Sequence, residues 1–301
     1  MRILITGGTG FVGQTLVEHL VENGHQATVL TRSSRTVNTR GVTFLPADPC
    51  QPGPWQEEAA RHEAVINLAG ASIFGRWTPA RKNQIRESRI LTTRNLAQAL
   101  ASIQGRQVTL VSASGIGYYG FTGDRTVDES APAGKDFLAR MAADWEQEAL
   151  AAGSNQVRVV LCRFGLVLGK RGGTLKKMLT PSRLGLASPL GSGNQWFPWI
   201  HESDLARIVL FLLEHTELAG AFNCTAPEPV SNRDFTRTLG QALGRPSPLP
   251  AVPAWVLRAA LGEFAEVLLE GQRALPARLQ EQGFQFRYPD LRTALGDLLR
   301  T

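Results

Sequence analysis

A glycine-rich turn near the start of the chain constrains the fold more than any other feature of the sequence. The apolar run ILI at residues 3–5 is followed by Gly7, Gly8 and Gly10, and Gly13 then falls inside a segment whose apolar residues have helical spacing. A glycine inside a helix costs about 1 kcal/mol relative to alanine, so its presence there needs a compensating gain. The order of strand, glycine turn and helix is typical of the first unit of a parallel sheet.

The spacing of these glycines indicates a dinucleotide site. Gly7 suits a tight turn, Gly10 lets a phosphate approach the backbone, and Gly13 is small where the helix packs on the sheet. The helix that begins near Phe11 would direct its free N–H groups at a pyrophosphate. A triphosphate-binding P-loop is disfavoured, because Gln14 stands where that motif requires a lysine. A tight turn without a ligand is the remaining alternative.

The residues at the end of the second strand indicate whether the chain binds NAD or NADP. An NAD site usually has an acidic residue there, about twenty residues beyond the glycines, which binds the ribose 2′-hydroxyl. This strand ends in "LTRSSR", where Arg32, helped by Ser33 and Arg35, could hold a 2′-phosphate instead. A solvated basic loop is the alternative. The missing acid and the added arginine together favour NADP(H).

The order of segments predicts the architecture. Strand-like and helix-like segments alternate through the first two thirds of the chain, with a long helix over about residues 79–101. This alternation predicts an α/β fold, a Rossmann-type doubly wound parallel sheet. Glycine, proline and aromatic residues become frequent after Gly165. We therefore expect a dinucleotide-binding domain over residues 1–165, to which 200–225 return, and a smaller, discontinuous substrate or lid domain over 166–199 and 226–301.

Composition excludes several classes of function. The net charge is +6, but lysine and arginine are scattered without a basic block, so we expect no nucleic-acid partner. No apolar run approaches the roughly twenty residues that cross a bilayer. The glycine turn begins within a few residues of Met1, so we expect no leader segment. The three cysteines lack metal-binding spacing. We expect a cytoplasmic protein with no metal site and no membrane partner.

Four motifs resemble a known superfamily. "TGGTGFVG", "INLAGA", "SASGIGYYG" and "PWIHESDLA", in this order, resemble the extended short-chain dehydrogenases/reductases of the epimerase/dehydratase type. The chain is more similar still to an atypical branch that carries "NLAGASIFGRWT", "GYYG", a "WE" helix and a C-terminal segment like "LGEFAEVLLEGQRALPARLQEQGFQFRYPDL". That branch has a C-terminal domain of unknown function. Its members are described as epimerases or nucleoside-diphosphate-sugar epimerases, and some are named cell-division-inhibitor-like.

The resemblance implies further cofactor contacts. Leu68, Ala69 and Gly70 would lie against the ribose and pyrophosphate on the nicotinamide side, and Asp48 would face the adenine. Arg89 falls where a cofactor-contacting residue is expected, although most arginines on such helix faces are solvated. The predicted cofactor-binding set is Gly7, Gly8, Thr9, Gly10, Phe11, Val12, Gly13, Thr31, Arg32, Ser33, Asp48, Leu68, Ala69, Gly70 and Arg89.

The sequence departs from the superfamily at its catalytic pair. The active Tyr-x-x-x-Lys is expected in the helix after "VDESAPAGKD", where Phe137 and Met141 stand at that spacing, and neither transfers a proton. Ser114 lies where the superfamily has its catalytic serine or threonine, with strand-end capping as the alternative. Tyr118 or Tyr119 of "GYYG" could replace the missing tyrosine, although packing is the slightly better interpretation for Tyr119. We take Ser114 and Tyr119 as the catalytic candidates.

Four residues are weaker candidates for contacting the substrate. Tyr118 precedes Tyr119, and Trp196 could cover the cleft, though large aromatic residues are more often core. Arg163 ends a strand directed at the cleft and could meet an anionic group, with a buried ion pair as the alternative. The resemblance places His201 at the edge of the cleft. The residues after it, however, are typical of an ordinary first turn of a helix.

The resemblance implies an NADP(H)-binding oxidoreductase or epimerase that acts on a small polar substrate, with a nucleotide sugar as one candidate. The alternative is a catalytically reduced NADP(H)-binding module with a regulatory role in redox reporting or cell division. Superfamily members commonly pair through two helices, so a homodimer through the helix at 79–101 and the "WE" helix is expected.

Overall fold

A computed structural model describes residues 1–33, 40–246 and 249–300 of the chain. Its strands are β1 (Arg2–Thr6), β2 (Gln26–Thr31), β3 (Val42–Pro46), β4 (Ala64–Asn67), β5 (Val108–Gly115), β6 (Thr126–Val127), β7 (Val157–Phe164), β8 (Leu166–Leu168), β9 (Trp196–Phe197), β10 (Trp199–His201), β11 (Gly220–Cys224), β12 (Val230–Ser231) and β13 (Arg273–Ala274). Its helices are α1 (Phe11–Glu22), α2 (Trp55–Ala59), α3 (Pro79–Ala101), α4 (Phe137–Leu150), α5 (Gly173–Arg183), α6 (Glu202–Glu214), α7 (Asn232–Ala242), α8 (Ala254–Leu261), α9 (Phe264–Leu269), α10 (Ala277–Glu281) and α11 (Leu291–Leu298).

The central sheet has seven parallel strands in the order β11-β7-β5-β4-β1-β2-β3. Ile3, Leu4 and Ile5 of β1 are fully buried, which explains why this strand is apolar on both faces. The strand order reverses between β1 and β4. In an open parallel sheet this switch point, at the carboxyl ends of the strands, is where ligands bind. The predicted Rossmann-type fold is confirmed.

Helices cover both faces of the sheet. On one face, α1 and α6 pack together over a core that includes Leu16, Leu20 and Leu205. On the other face, α2, α3 and α4 pack over a core that includes Trp55 and Leu100. None of the helices within the described residues is long and apolar enough to span a membrane.

The remaining elements form a second layer at the carboxyl edge of the sheet. Three two-stranded pairs, β8 with β10, β9 with β12 and β6 with β13, join distant segments of the chain. A separate apolar cluster around Phe235 unites α5, α7 and α11. The strand β11 lies at the edge of the main sheet, beside β7. The division into two domains at the proposed boundaries stays a prediction.

The helices α3 and α4 lie side by side within the chain. Exposed ion pairs join them, between Arg86 and Asp144 at 2.8 Å and between Arg94 and Glu148 at 2.5 Å. The homodimer expected through these helices stays a prediction.

Candidate functional site

Close backbone contacts account for two glycines of the N-terminal turn. Gly7 has a φ of +70°, and a Cβ there would lie 2.7 Å from the carbonyl carbon of Leu68. A Cβ on Gly13 would lie 2.3 Å from the carbonyl oxygen of Gly7 and 2.6 Å from the Cα of Gly8. Any side chain at residue 13 would therefore push α1 away from the turn. This close approach offsets the cost of a glycine inside the helix.

The helix α1 begins without a side-chain cap. Its N-cap residue is Gly10, and its first turn contains no acidic residue. The first backbone bond of the helix runs from the Gln14 N–H to the Gly10 carbonyl, at 2.9 Å. The N–H groups of Phe11, Val12 and Gly13 thus precede the helical ladder, and such groups bind phosphate well. Thr9 is half-buried beside them, and Gly10 is exposed.

The end of β2 carries an exposed arginine. Thr31 is buried and donates a hydrogen bond to the Ser33 carbonyl at 3.2 Å, while Arg32 and Ser33 are exposed. Across residues 1–33, 40–246 and 249–300, Arg32 forms no ion pair. Its guanidinium is therefore available to an anionic ligand. Arg35 lies outside the described residues.

Asp48 follows β3 at the same edge of the sheet. Its side chain is exposed, and one carboxylate oxygen accepts a hydrogen bond from the Cys50 N–H at 3.0 Å. The second carboxylate oxygen can face a ligand, so the position is compatible with the predicted adenine contact.

The segment after β4 connects the glycine turn to Arg89. The N–H of Leu68 donates to the Thr6 carbonyl at 3.1 Å, and the N–H of Ala69 donates to the Thr6 hydroxyl at 3.3 Å. A Cβ on Gly70 would lie 2.9 Å from the Cζ of Arg89, so the guanidinium rests directly on this backbone.

Arg89 is held by backbone carbonyls rather than by a carboxylate. Its Nη1 donates to Ala71 at 3.0 Å and to Ile85 at 2.9 Å, and its Cζ lies 5.2 Å from the centre of the Trp145 ring. Within the described part of the chain its buried Nε has no hydrogen-bond partner. Burial lowers the pKa of this guanidinium to about 10, so it remains a cation at neutral pH.

A cavity of about 280 Å³ opens at the carboxyl ends of β5 and β7. Its lining combines three parts of the chain. The sheet and α3 contribute Arg89, Ser114, Gly115, Phe164 and Gly165; α4 contributes Leu138, Met141, Ala142 and Trp145; the later segments contribute Trp196, Phe197, Pro198, Phe264, Val267, Leu268 and Gln272. Arg89 thus borders both the cavity and Gly70 of the segment after β4, whose Leu68 lies against the glycine turn.

Comparisons with known proteins agree with this geometry. The family model of the NAD dependent epimerase/dehydratase family matches residues 3–225. The chain belongs to that family. A second family model, for a domain of unknown function named DUF1731, matches residues 252–298, which include the cavity residues Phe264, Val267 and Leu268.

Full-length relatives support the assignment to the epimerase/dehydratase family. The chain is 40% identical to "Epimerase family protein SDR39U1 homolog, chloroplastic" of Arabidopsis thaliana, over 100% of this chain and 87% of that protein. It is 37% identical to "Epimerase family protein YfhF" of Bacillus subtilis, over 99% of this chain and 98% of the relative. A crystal structure of human epimerase family protein SDR39U1 (isoform 2) with NADPH matches with a TM-score of 0.87 and 36% identity, covering 99% of each chain.

The positions of the expected Tyr-x-x-x-Lys pair are apolar in this family member. Met141 is buried and lines the cavity. The ring of Phe137 packs edge-on against Trp77, with ring centres 5.1 Å apart. The nearby Lys135 and Arg140 are exposed. Among the described residues that line the cavity there is no tyrosine, histidine or lysine.

Ser114 lines the cavity, but its hydroxyl already donates a hydrogen bond within the protein. It donates a hydrogen bond to Oε1 of Glu146 at 2.6 Å, and the residue is buried. With its proton directed at Glu146, the oxygen can accept a hydrogen bond from a ligand but cannot donate one. In this arrangement Ser114 can act on a ligand only as a hydrogen-bond acceptor, and its catalytic role stays a prediction.

Tyr119 does not reach the cavity, which corrects its predicted role in proton transfer. Its buried hydroxyl donates to Asn223 at 2.7 Å and accepts from Nη1 of Arg163 at 2.8 Å. Burial raises its pKa to about 12, although the neighbouring Arg163 opposes the shift. A hydroxyl so placed is a structural hydrogen-bonding group.

Three of the four predicted substrate contacts also lie off the cavity lining. Arg163 forms a buried ion pair with Glu146, and its Cζ lies 3.6 Å from the centre of the Tyr118 ring. His201 is the N-cap of α6, where Nδ1 accepts from the Ser203 N–H at 3.0 Å. Trp196 does line the cavity, and its indole N–H donates to Asp124 at 3.0 Å.

Two parts of the site lie in the segments expected to form the substrate or lid domain, but none of their residues was predicted individually. The helix α9 contributes Phe264, Val267 and Leu268 to the cavity, and its sequence signal is weak: a few apolar residues, interrupted by Glu266, between Gly262 and Gly271. The glycine-rich segment 169–173 packs over the start of α1: a Cβ on Gly172 would lie 2.7 Å from the ring of Phe11. Its glycines are a signal of close approach that could have been used.

Proposed function

We propose that the chain binds NADP(H) and is an oxidoreductase that acts on a small molecule bound in the cavity. The observation that carries this proposal is the uncapped start of α1 behind Gly7 and Gly13, combined with the exposed Arg32 where an NAD site would have an acid. The human relative with 36% identity, whose crystal structure is described as containing NADPH, supports the same cofactor.

The residues present fit each part of that cofactor. The N–H groups at the start of α1 would hold the pyrophosphate, and Arg32 with Ser33 would hold the 2′-phosphate by charge-assisted hydrogen bonds. Asp48 would contact the adenine end. Leu68, Ala69 and Gly70 would line the nicotinamide side, where the unpaired Nε of Arg89 offers a further donor.

Bound NADP(H) supplies a hydride donor or acceptor at nicotinamide C4. The chain positions the cofactor and excludes water from the cavity with the apolar side chains of α4 and α9. Ser114 is placed to accept a hydrogen bond from a ligand. An epimerase of this type needs a proton carrier for both an oxidation and a reduction, and losing such a group costs about 10²–10⁴-fold in rate. The apolar residues Phe137 and Met141 therefore favour a one-way oxidoreductase over an epimerase.

The same two residues support a second candidate function, an NADP(H)-binding regulatory module without turnover. NADPH fluorescence separates the two. Oxidation of NADPH in the presence of a carbonyl compound supports the enzyme, whereas binding with no oxidation across a broad carbonyl panel supports the module.

Calorimetric titration tests the cofactor. The purified protein should bind NADPH more tightly than NADH, and Arg32→Glu should weaken NADPH binding by about 10–100-fold with little effect on NADH. Arg292→Glu is the matched control, because Arg292 is an exposed arginine on α11 and the charge change is the same. Equal losses for both coenzymes in Arg32→Glu, or no heat with either coenzyme in the native protein, would overturn the proposal.

A further inference from the structure

We infer that the cavity accepts a planar apolar carbonyl compound of the quinone class rather than a nucleotide sugar. This identifies the substrate class of the oxidoreductase proposed above, and so it rests on that proposed function. Four properties of the cavity carry it: the chemistry of its walls, its size, the charges on its lining and the absence of a tyrosine, histidine or lysine among the described residues that line it.

The walls are mainly aromatic and aliphatic, and the uncharged polar side chains among them are the minority: Ser114, Thr174, Gln195, Asn232 and Gln272. Trp145 and Met141 of α4 face the space, together with Trp196, Phe121, Val267 and Leu268 from the later parts of the chain. Aromatic side chains of this kind offer ring faces on which a planar ligand can stack. A sugar needs many hydrogen-bonding side chains around it, because each hydroxyl that loses water without a partner costs free energy.

The size of the cavity also favours a small planar ligand over a nucleotide sugar. At about 280 Å³ it lies just below the roughly 300–1,000 Å³ typical of small-molecule pockets. The nicotinamide end of a bound cofactor would take part of that space. What is left suits one or two fused rings better than a nucleotide joined to a sugar.

The charges on the lining do not suit a diphosphate. Of the described residues that line the cavity, the two carboxylates are Asp136 and Glu270, and the cation is Arg89, which rests on Gly70 beside the glycine turn. Lys177 and Arg273 contact the rings of Phe74 and Trp196 but do not line the cavity themselves. Recognition of a substrate diphosphate would need cations or free N–H groups beyond those that the cofactor uses.

A quinone also removes the need for a proton carrier. Hydride transfer from NADPH to a quinone leaves NADP⁺ and a hydroquinone monoanion. After the anion leaves the cavity, it takes one proton from solvent water, which becomes hydroxide, to give the hydroquinone. The negative charge is spread over an aromatic ring, so no side chain has to donate a proton during the hydride step. An aliphatic ketone would instead form an alkoxide, which needs an acid such as the tyrosine that this cavity lacks.

Calorimetric binding with 1,4-naphthoquinone and with UDP-glucose tests the inference without turnover. Both titrations use the full chain, once alone and once saturated with NADP⁺, which cannot reduce the quinone. We expect naphthoquinone to bind the NADP⁺-loaded protein at least tenfold more tightly than UDP-glucose does. Quenching of tryptophan emission should follow the same binding curve, because Trp145 and Trp196 line the cavity.

A pair of variants locates the binding site. Phe121 lines the cavity and is 43% exposed, so Phe121→Glu should fold normally and weaken naphthoquinone binding about tenfold, with unchanged affinity for NADP⁺. Leu184→Glu is the matched control, because Leu184 is 69% exposed and is outside the cavity lining. Equal effects of the two substitutions would show that naphthoquinone binds elsewhere and would overturn the inference.

The outcomes separate this inference from the proposed function. Tighter binding of UDP-glucose, or binding of neither ligand by protein that binds NADP⁺, overturns the substrate class and leaves the cofactor intact. Failure to bind NADP⁺ overturns the proposed function. In that case naphthoquinone binding to the protein alone, weakened by Phe121→Glu, would still show a cavity for apolar rings.

Discussion

Arg163 and Glu146 form a buried two-point ion pair beside the cavity, with Nε to Oε1 and Nη2 to Oε2 both at 2.8 Å. Each side chain is only 5% exposed. Burial alone lowers the pKa of the Arg163 guanidinium, but the hydrogen bonds and charge of Glu146 outweigh it and raise that pKa. Ser114 donates to the same carboxylate, and Tyr119 accepts from the same guanidinium. The pair therefore organises the hydroxyl groups that the sequence had suggested for catalysis.

Breaking this pair should destabilise the protein strongly. Glu146→Gln leaves the Arg163 charge buried without its counter-ion, and we expect the free energy of unfolding to fall by about 3–5 kcal/mol. Urea unfolding followed by circular dichroism measures the change. Asp144→Asn on the same helix is the control: it removes the exposed pair with Arg86 and should cost less than about 1 kcal/mol. Similar losses for both variants would contradict a special role for the buried pair.

Replacing both partners should restore much of the loss. In the double variant Glu146→Met with Arg163→Met no charge remains buried, and apolar side chains of similar volume are often as stable as an ion pair. A double variant as unstable as Glu146→Gln would indicate that the hydrogen bonds to Ser114 and Tyr119, rather than the burial of charge, carry the stability.

Tyr119→Phe separates a structural role from a catalytic one. The substitution leaves the Asn223 side chain and the Arg163 Nη1 without the hydroxyl, so the free energy of unfolding should fall by about 1–3 kcal/mol. The rate of NADPH oxidation with any accepted substrate should change by less than about twofold, because the hydroxyl does not face the cavity. A loss of rate by orders of magnitude in a variant of normal stability would restore Tyr119 as the proton carrier.

The cofactor side of the site was predictable because its signals are local. Gly7 and Gly13 lie six residues apart in one turn and helix, and their need for close approach follows from the βαβ geometry alone. The absence of an acidic residue near Arg32 is likewise visible within a few residues of the sequence. The bounds of α3, predicted over residues 79–101, match the structure because a long helix with Thr78 as its cap carries its own signals.

The substrate side was not predictable in the same way, because its contacts join distant parts of the chain. The hydroxyl of Tyr119 meets Asn223, 104 residues later, and Trp196 meets Asp124 across 72 residues. No short motif predicts which of two adjacent tyrosines has a buried hydroxyl, or which buried arginine forms an ion pair with a carboxylate. His201 illustrates the difficulty: the residues after it gave a correct helix start, but its capping role became clear only from the bond to Ser203.

Gly13→Ala should remove cofactor binding. The new Cβ would lie 2.3 Å from the Gly7 carbonyl oxygen, so α1 or the turn must move and the N–H groups that face the pyrophosphate lose their alignment. We expect NADPH affinity to fall at least tenfold and stability to fall by about 1–3 kcal/mol. Gly296→Ala is the matched control, because Gly296 is an exposed glycine in α11 with open space around its Cβ position, and it should gain about 0.5–1 kcal/mol. Normal NADPH binding by Gly13→Ala would contradict the role of the turn.

The buried His201 is the neutral cap of α6. Its Nδ1 accepts from the Ser203 N–H, which places the imidazole proton on Nε2, 3.5 Å from Oδ2 of Asp297. The ring stacks on Tyr288 with centres 3.8 Å apart. Burial lowers the pKa of His201 to about 4, against the opposing charges of Asp204 and Asp297 and with a small contribution from Lys170 in the same direction as burial.

His201 should therefore make the folded protein less stable at acidic pH. The unfolded chain binds a proton at this histidine near its ordinary pKa of 6.5, whereas the folded chain binds it only near pH 4, so its stabilising contribution is complete above pH 6.5 and is lost as the pH falls toward 4. Between about pH 7 and about pH 5 this linkage lowers the free energy of unfolding by about 2 kcal/mol. His201→Asn keeps a capping side chain but does not titrate, and urea unfolding at the two pH values should show that much less pH dependence than in the native protein. His19 and His25, whose pKa values are also lowered by burial, remain in both proteins and cancel in the comparison. An unchanged pH dependence in His201→Asn would mean that His201 has the same pKa in the folded and the unfolded chain, which would contradict a buried neutral cap.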